Sequence, residues 1–428
     1  MQRWSLLSIL VGGLVLLGLG TVRGEILALA LPLLVYAGVA LLKQPQAPQL
    51  SATRAFSAER VESGTPVIVH LSIVNMGARP ATVLLEDLIP QRLALLEGQA
   101  RMLTVLAPGA SVELTYTVAG GRGVHQFPGV QASAEDMFGL FRVSALLPAA
   151  GQIFIVPQVI RLRRAEIRPR RTHVYAGQIP ARQGGPGIEF YGLREYQPGD
   201  PTRWINARAT ARNPQTLFVN EYEQERVADV GLILDARRQS DVRTRDGALF
   251  EYSIQAAAAL ADTFLHRGNR VGLLMYGRSL DWTLPGYGKV QRERILRALA
   301  RAETGDLPVL EKLDYLPTRL FPARSQIVLI SPLLSHDLEM LASLRARGYQ
   351  VLVISPDPIS FEQRGLAAQA ETATAMRIAR LERALLLQRC RRNGITVLDW
   401  PIDVPFQQVA EAALSRPPIG LIGREGGL

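Results

Sequence analysis

The sequence predicts a multidomain chain of α and β structure: an N-terminal transmembrane helical hairpin, an antiparallel β-sandwich, and a doubly wound parallel α/β domain. Three observations carry this. Two apolar runs stand at the N-terminus. Short alternating runs punctuated by Gly, Pro and Asn come next, for about a hundred residues. From Val227 onward, buried-strand runs alternate with helical ones.

The hairpin comes first. Ser5 to Val22 is apolar apart from a few small polar residues, and after Arg23-Gly24-Glu25 a second apolar run extends from Ile26 to Leu42. Each has the roughly 17–25 residues needed to cross a hydrocarbon core about 30 Å thick. The polar break allows only a tight connection, so residues 1–45 are expected to cross and return. A cleaved signal peptide is the competing reading, because Arg3 precedes an apolar stretch and Gly18-Leu19-Gly20 supplies small residues. A second apolar run immediately behind it is not expected of a mature secreted N-terminus. Arg3 and Lys43 lie outside the pair while Arg23 is offset by Glu25, so the positive-inside rule favours both ends, and the soluble domains, in the cytoplasm.

Residues 46–160 read as the sandwich. Val67 to Val74 is succeeded by Asn75-Met76-Gly77, and Val112 to Val118 alternates before Gly120-Gly121. Strands at such spacing, about seven or eight in this length, fit the immunoglobulin-like size class. Residues 161–225 differ: they are rich in Arg, Gly and Pro with aromatics interspersed. They are expected to be ordered but irregular and to pack against the α/β domain.

That α/β domain is assigned to 226–428. Val230 to Leu234 is a buried-strand run ending at Asp235, Gly247 to Leu265 is helical, Arg270 to Tyr276 a strand, and Val290 to Arg301 a helix. Ile327 to Ile330, Leu338 to Arg347 and Val351 to Ile354 repeat the unit, and a helix from Thr374 to Arg392 precedes a strand from Ile395 to Leu398. In such a fold ligands sit beyond the carboxyl ends of the strands, here near Asp235, Tyr276-Gly277 and Ser331.

Net charge is +10 and the lysines are only Lys43, Lys289 and Lys312, so arginine carries the basicity. One cluster stands apart: Arg161, Arg163, Arg164, Arg168, Arg170 and Arg171, with Glu166 the one acid among them. It could meet anionic lipid headgroups, nucleic acid or an acidic protein face. Nucleic acid ranks last, for want of aromatic interleaving and a recognised fold. The single cysteine, Cys390, excludes an internal disulfide framework and is compatible with a reducing compartment.

The run Gly187-Ile188-Glu189-Phe190-Tyr191-Gly192-Leu193-Arg194-Glu195-Tyr196-Gln197-Pro198-Gly199-Asp200 closely resembles the signature of the prokaryotic membrane proteins catalogued as domain of unknown function 58. Arg203, Ile205-Asn206, Ala211-Arg212 and Leu217 to Glu223 continue the likeness. Upstream, Gly121-Arg122-Gly123-Val124 and Glu135-Asp136-Met137-Phe138-Gly139-Leu140-Phe141 are similar to the family's turn and aspartate-phenylalanine-glycine-leucine segment. Ala207 departs from the pattern, which has an aromatic, commonly tryptophan, after the asparagine. The resemblance implies the same order of domains, with the last one von Willebrand factor type A-like. It also implies an association with MoxR-type ATPases of the AAA class.

A von Willebrand type A domain typically binds Mg²⁺ through an Asp-x-Ser-x-Ser loop, a threonine, and an aspartate after its fourth strand, because hard oxygen ligands must converge on an octahedral ion. Here Arg237 and Gln239 replace both serines after Asp235, and Ser331 stands where the later aspartate would be. The metal site reads as degenerate, since an arginine in a ligand position repels a cation and could instead pair with Asp235, and neither Mg²⁺ nor any other cofactor is expected. Glu189, Arg194, Glu195, Tyr196, Asp200, Arg203, Asn206, Arg212 and Glu221 mix acids and arginines at short spacing. They form either a salt-bridged brace or a binding surface, with the brace favoured.

Ser335-His336-Asp337 has triad residue types but cannot align them side by side, and reads as a helix start with Ser or Asp as cap. Gly286-Tyr287-Gly288-Lys289 lacks the length and the Ser or Thr of a nucleotide loop. No catalytic constellation emerges. The leading expectation is a membrane-tethered, non-enzymatic adaptor docking a protein partner. One alternative is an enzyme on an envelope or lipid-linked substrate, using Glu189, Glu195, Asp200 and Asp235. Another is envelope-ligand binding by the sandwich.

Overall fold

The computed structural model describes residues 2–42, 44–136, 139–163, 172–213, 215–245, 247–306, 320–322, 325–366 and 370–414, and side chains within these except at 2–3, 172–189, 223–226 and 370. The chain forms two compact units, Met1–Val156 and Pro157–Leu428.

In the first unit, α1 (Gln2–Thr21) and α2 (Gly24–Leu42) are each long and apolar enough to cross a membrane. A Cβ on Gly18 would lie 2.7 Å from Leu27 Cγ, so glycine is what lets the two helices approach there. The hydroxyls of Ser8 and Thr21 donate to the carbonyls of Trp4 and Leu17, so neither needs an outside partner.

Strands β1 (Leu50–Phe56), β2 (Arg60–Glu62), β3 (Val67–Asn75), β4 (Ala81–Asp87), β5 (Leu93–Gly98) and β6 (Arg101–Leu106) come next in the chain. After them come β7 (Ser111–Gly120), β8 (Gly123–Phe127), β9 (Val130–Glu135), β10 (Arg142–Leu147) and β11 (Gly151–Val156). They form sheets ordered β1-β3-β7-β5, β10-β9-β4-β6 and β2-β11-β8. This is more strands than the seven or eight expected, and β2 runs parallel to β11, so the unit is not wholly antiparallel. The short runs around Arg60 and Gly151 carry too few alternations to announce themselves.

Alternation decides the packing. Val67, Val69, Leu71 and Ile73 of β3 are at most 1% exposed. Leu71 and Ile73 join Val83, Leu85, Leu114 and Val130 in one core, while Val67 and Val69 join Tyr116, Phe127, Ile153 and Ile155 in another. Asn75, read as a turn residue, ties its turn down: Nδ2 donates to the Arg79 and Leu106 carbonyls, and Oδ1 accepts from the Gly77 amide.

The second unit is built around β13 (Phe218–Asp235). Its first half pairs antiparallel with β12 (Thr172–Glu195), and its second half lies at the centre of the sheet. The segment expected to be irregular is therefore largely a ribbon. Register shifts between Val174 and Ile179, Pro180 and Gly184, and Gly185 and Phe190 accommodate its Gly and Pro residues and hide the strand periodicity. A short helix, α3 (Ala207–Arg212), lies between the two strands.

The remaining elements are β14 (Arg243–Thr244), β15 (Gly247–Ala248), α4 (Leu249–His266), β16 (Arg270–Tyr276), β17 (Leu280–Gly286) and α5 (Gly288–Arg301). Then come β18 (Gln326–Ile330), α6 (Asp337–Ala346), β19 (Gln350–Pro356), α7 (Pro358–Gln363), α8 (Ala370–Arg392), β20 (Thr396–Trp400) and α9 (Phe406–Leu414). The sheet order is β17-β16-β13-β18-β19-β20. Strands β16, β13, β18, β19 and β20 are mutually parallel as expected. The antiparallel edge β17, with β12 on β13, makes the sheet mixed rather than parallel throughout. Exposed Trp282 and Leu284 and the Pro285 within it disguise β17 as a loop in sequence.

Ile233, Leu274, Leu329 and Val353 stand side by side in register and are buried with Leu341 and Leu344 of α6 and Leu387 and Cys390 of α8. Helix α4 packs along β13, β16, β18 and β19, its run Ala256–Ala259 fully buried and small enough for close approach. Gly231 and Gly272 are register partners, and a Cβ on either would meet the Phe321 ring, at 2.7 and 3.2 Å.

Candidate functional site

At the carboxyl end of β13 the chain places a buried ionic cluster. Asp235 ends the strand, and Arg237 lies two residues on, with both side chains at most 3% exposed. Arg237 Nε donates to Asp235 Oδ1 at 2.9 Å and Nη2 to Oδ2 at 2.8 Å, while the Arg237 amide also donates to Oδ1 at 3.0 Å. The same guanidinium reaches across to Asp337 at the start of α6, Nη1 to Oδ1 at 3.0 Å and Nη2 to Oδ2 at 2.9 Å.

Ser331, just past β18, donates to Asp235 Oδ2 at 2.7 Å. Its Oγ accepts from the Leu333 amide, and Asp337 Oδ2 accepts from the Leu334 amide. Burial disfavours the Arg237 charge, but the hydrogen bonds and charges of Asp235 and then Asp337 outweigh it and raise its pKa further. Gln239, the other residue in a serine position, is exposed on the turn Arg238–Ser240.

Arg237 does pair with Asp235, the option its place in the loop left open, whereas the role of Asp337 differs from the cap read in the sequence. The cap expected of Ser335 or Asp337 is absent, because His336 holds the N-cap position without a side-chain bond to the helix backbone and the Asp337 carboxylate is taken by Arg237. The connection after β18 also holds Leu333 at φ 66°, an unfavourable conformation for a branched residue. Asp337, the first residue of α6, reaches Arg237 only because β18 neighbours β13 in the sheet, which no local pattern announces.

A second guanidinium closes the neighbouring strand ends. Arg383 of α8 donates to the Pro332 carbonyl at 3.0 Å, to the Ser355 carbonyl at 3.1 Å and to Asp399 Oδ1 at 2.6 Å, and lies 3.2 Å from Asp357. Nothing in sequence singles it out among the arginines of that helix. Where a doubly wound sheet would leave a crevice for a ligand, these strand ends are occupied by the chain's own cations. Among the described residues no group of three or more His, Cys, Asp or Glu side chains is arranged to hold a metal ion.

The signature residues fall on the ribbon and the loop it carries. Arg194, in β12, grips Asp200 bidentately, Nη1 to Oδ2 at 2.7 Å and Nη2 to Oδ1 at 2.6 Å, and its Nε lies 3.7 Å from Glu221 of β13. Asp200 also accepts from the Gln197 amide at 2.8 Å. Hydrogen bonding from Arg194 holds Asp200 below the usual carboxylate range, and Asp200 in turn raises Arg194.

The Tyr196 amide donates to the Leu217 carbonyl. Asn206 caps α3 by accepting from the Ala209 amide, and its Nδ2 donates to Asn220 at 2.7 Å. Trp204 meets Tyr222 edge-on at 5.6 Å. The mixed charges are thus a brace in part, in Arg194, Asp200 and Glu221. Glu195, Arg203 and Arg212 are exposed, at the end of β12, in the turn Thr202–Trp204 and at the end of α3.

Beside the brace the ribbon exposes apolar side chains that sequence reasoning did not select: Phe190 at 61%, Tyr191 at 47%, Leu193 at 48% and Leu217 at 47%. Of the basic cluster, Arg161 and Arg163 are exposed, and the Arg163 amide donates to Glu411. Arg164, Arg168, Arg170 and Arg171 lie outside the described residues, as do Met137 and Phe138, and the side chain of Glu189 is not among those described.

Fold and site together define a chain with two apolar N-terminal helices, antiparallel sheets, and a mixed α/β unit with a buried ionic cluster at the carboxyl end of its central strand. The model of the family described as "Protein of unknown function DUF58" matches residues 192–386, from the signature ribbon into α8. No curated protein matches the chain.

Among solved structures, a FixG-related protein from Vibrio parahaemolyticus is similar at 9% identity and TM-score 0.18, over 25% of this chain and 96% of that one. Alpha-2-macroglobulin from Escherichia coli, spanning domain MG7 to the C-terminus, is similar at 19% identity and TM-score 0.23, over 30% of this chain and 20% of that one. The cupredoxin domain of amoB from Nitrosocaldus yellowstonii is similar at 12% identity and TM-score 0.19, over 26% and 90%.

Proposed function

We propose that this chain is a membrane-tethered, non-enzymatic adaptor that docks a protein partner through its signature ribbon and α/β unit. The observation that carries this reading is the exposed apolar group Phe190, Tyr191, Leu193 and Leu217, standing on a ribbon stiffened by the Arg194–Asp200 pair. Exposed aromatic and aliphatic side chains on a braced support are the anchors protein interfaces use.

Of the four carboxylates the enzymatic alternative names, Asp200 and Asp235 are each gripped by an arginine, which weighs against it. We read the α/β unit as von Willebrand type A-like on its antiparallel edge strand and on the placing of β13 between β16 and β18. Arg237 then takes the part of a resident cation in a degenerate metal site. The partner in this reading is a MoxR-type AAA ATPase, on the resemblance of the signature. The two apolar helices form the anchor, and the soluble units face the cytoplasm.

Crosslinking in native membranes, with subsequent purification in detergent, tests the docking. Recovery of an AAA ATPase with the intact chain, and its loss with Phe190→Glu plus Leu193→Glu, is the expected result. Failure to recover an ATPase after crosslinking in native membranes removes the reading. Protease treatment of inside-out vesicles is expected to cleave the soluble units, and their protection there would move them to the other side.

A further inference from the structure

Helix α8 buries one face, with Leu387 3% and Cys390 0% exposed and Arg383 bound to the strand ends. The opposite face is apolar and open: Ile378 is 54%, Leu381 60% and Leu385 54% exposed. These residues succeed one another at spacings of three and four over two turns, the a/d spacing by which one helix packs on another. The charges are distributed unequally along the same helix. Glu371 stands in its first turn, and Arg389, Arg391 and Arg392 in its last.

We propose that α8 pairs antiparallel with α8 of a second copy of this chain, about a two-fold axis passing beside Leu381. In that arrangement Leu381 meets its own counterpart, Ile378 of each copy meets Leu385 of the other, and Glu371 of each copy lies against Arg389 and Arg392 of the other. The contact is self-complementary, as a two-fold interface must be. A parallel pair would instead set the three arginines against themselves and Glu371 against Glu371. Antiparallel pairing also opposes the two helix dipoles favourably.

One helix seam buries less than the roughly 1,200–2,000 Å² of a standard stable interface. The dimer therefore depends on concentration, and confinement of both copies to one membrane by α1 and α2 favours it.

The test uses the full chain in its native membrane with a short bis-maleimide crosslinker; wild type, whose cysteine is buried, is the background. Leu381→Cys is expected to give a covalent dimer. Ile378→Cys is expected to couple to Leu385→Cys on a differently tagged copy and not to itself. A monomeric Leu381→Cys overturns the proposal, as does an equal dimer yield from Ala373→Cys, which is exposed but off the stripe. Independently, Leu381→Asp is expected to lower the dimer fraction measured in the membrane by energy transfer between differently labelled copies at least about tenfold, with unchanged melting. A dimer that persists in that variant excludes α8 as its interface, and a chain that stays monomeric in the membrane overturns the pairing and leaves the stripe to a different protein or to lipid.

Discussion

The guanidinium of Arg237 donates two hydrogen bonds to Asp337, a hundred positions later in the chain, at 3.0 and 2.9 Å. Because Arg237 also holds Asp235, one guanidinium pairs with two carboxylates that have no exposed side-chain surface at the strand ends. Replacing Arg237 by Ala leaves both carboxylates buried without their guanidinium, held by Ser331 and the Leu334 amide, and is expected to cost about 3–5 kcal/mol. Neutralising the carboxylates in the same chain, with Asp235→Asn and Asp337→Asn, is expected to recover most of that loss. Urea unfolding monitored by tryptophan fluorescence, to which buried Trp400 contributes, measures both.

Arg194 and Asp200 behave differently because they sit near the surface. Their pair orders a loop and adds little to global stability. Arg194→Lys removes the bidentate grip, and the expected effect is faster hydrogen exchange at the Gln197 amide, which donates to Asp200, with little change in melting. The folded pKa of Asp200 is depressed, so the wild-type contribution is present above the ordinary carboxylate value and is lost as pH falls through the depressed one. Protection of that amide should therefore persist below about pH 4 in wild type and be lost earlier in the variant. Equal protection in both chains across that range would remove the brace.

What the sequence discloses and what it withholds divide along physical lines. The parallel strands were legible because strands buried on both faces read as unbroken apolar runs, as in Val230 to Leu234 and Ile327 to Ile330. Arg237 was legible as a partner for Asp235 because the two are neighbours in the chain. Asp337 and Arg383 were not, since their roles depend on which loops the sheet order brings together. The strand β12 was hidden by Gly and Pro absorbed into its register shifts, and β17 by its exposed apolar side chains. The slot that Gly231 and Gly272 leave for Phe321 spans three segments, and no local pattern marks it.

In the first unit, Tyr116 donates to Asp87 at 2.5 Å, and Asp87 also pairs with Arg54, both of those side chains being fully buried. The Arg54 guanidinium stands over the Phe127 ring at 4.6 Å. Tyr116→Phe removes one bond to a buried carboxylate and is expected to cost about 1.5–3 kcal/mol in thermal or urea unfolding. Burial first, then hydrogen bonding to Asp87, raises the Tyr116 pKa from 10.0. Its stabilisation is thus complete below about pH 10, and is lost as pH rises beyond the unfolded value toward the folded one. A wild-type stability profile that bends downward above about pH 10 more steeply than that of Tyr116→Phe is the expected outcome, and parallel profiles would contradict it.

Docking and folding are separable at the ribbon. Phe190 and Leu193 are 61% and 48% exposed, so replacing them with Glu removes little buried contact, and melting is expected to shift by no more than about 0.5 kcal/mol equivalent. If the ribbon is the docking surface, the same pair of changes places two negative charges at the centre of an apolar contact, and capture of the partner should fall by at least about tenfold. Arg194→Lys should lie between wild type and that variant, because it loosens the support without altering the surface. Ordering the variants as wild type, Arg194→Lys, then Phe190→Glu with Leu193→Glu in quantitative pull-down from crosslinked membranes is the result that links the brace to the surface. Full capture by the double glutamate variant would move docking away from the ribbon.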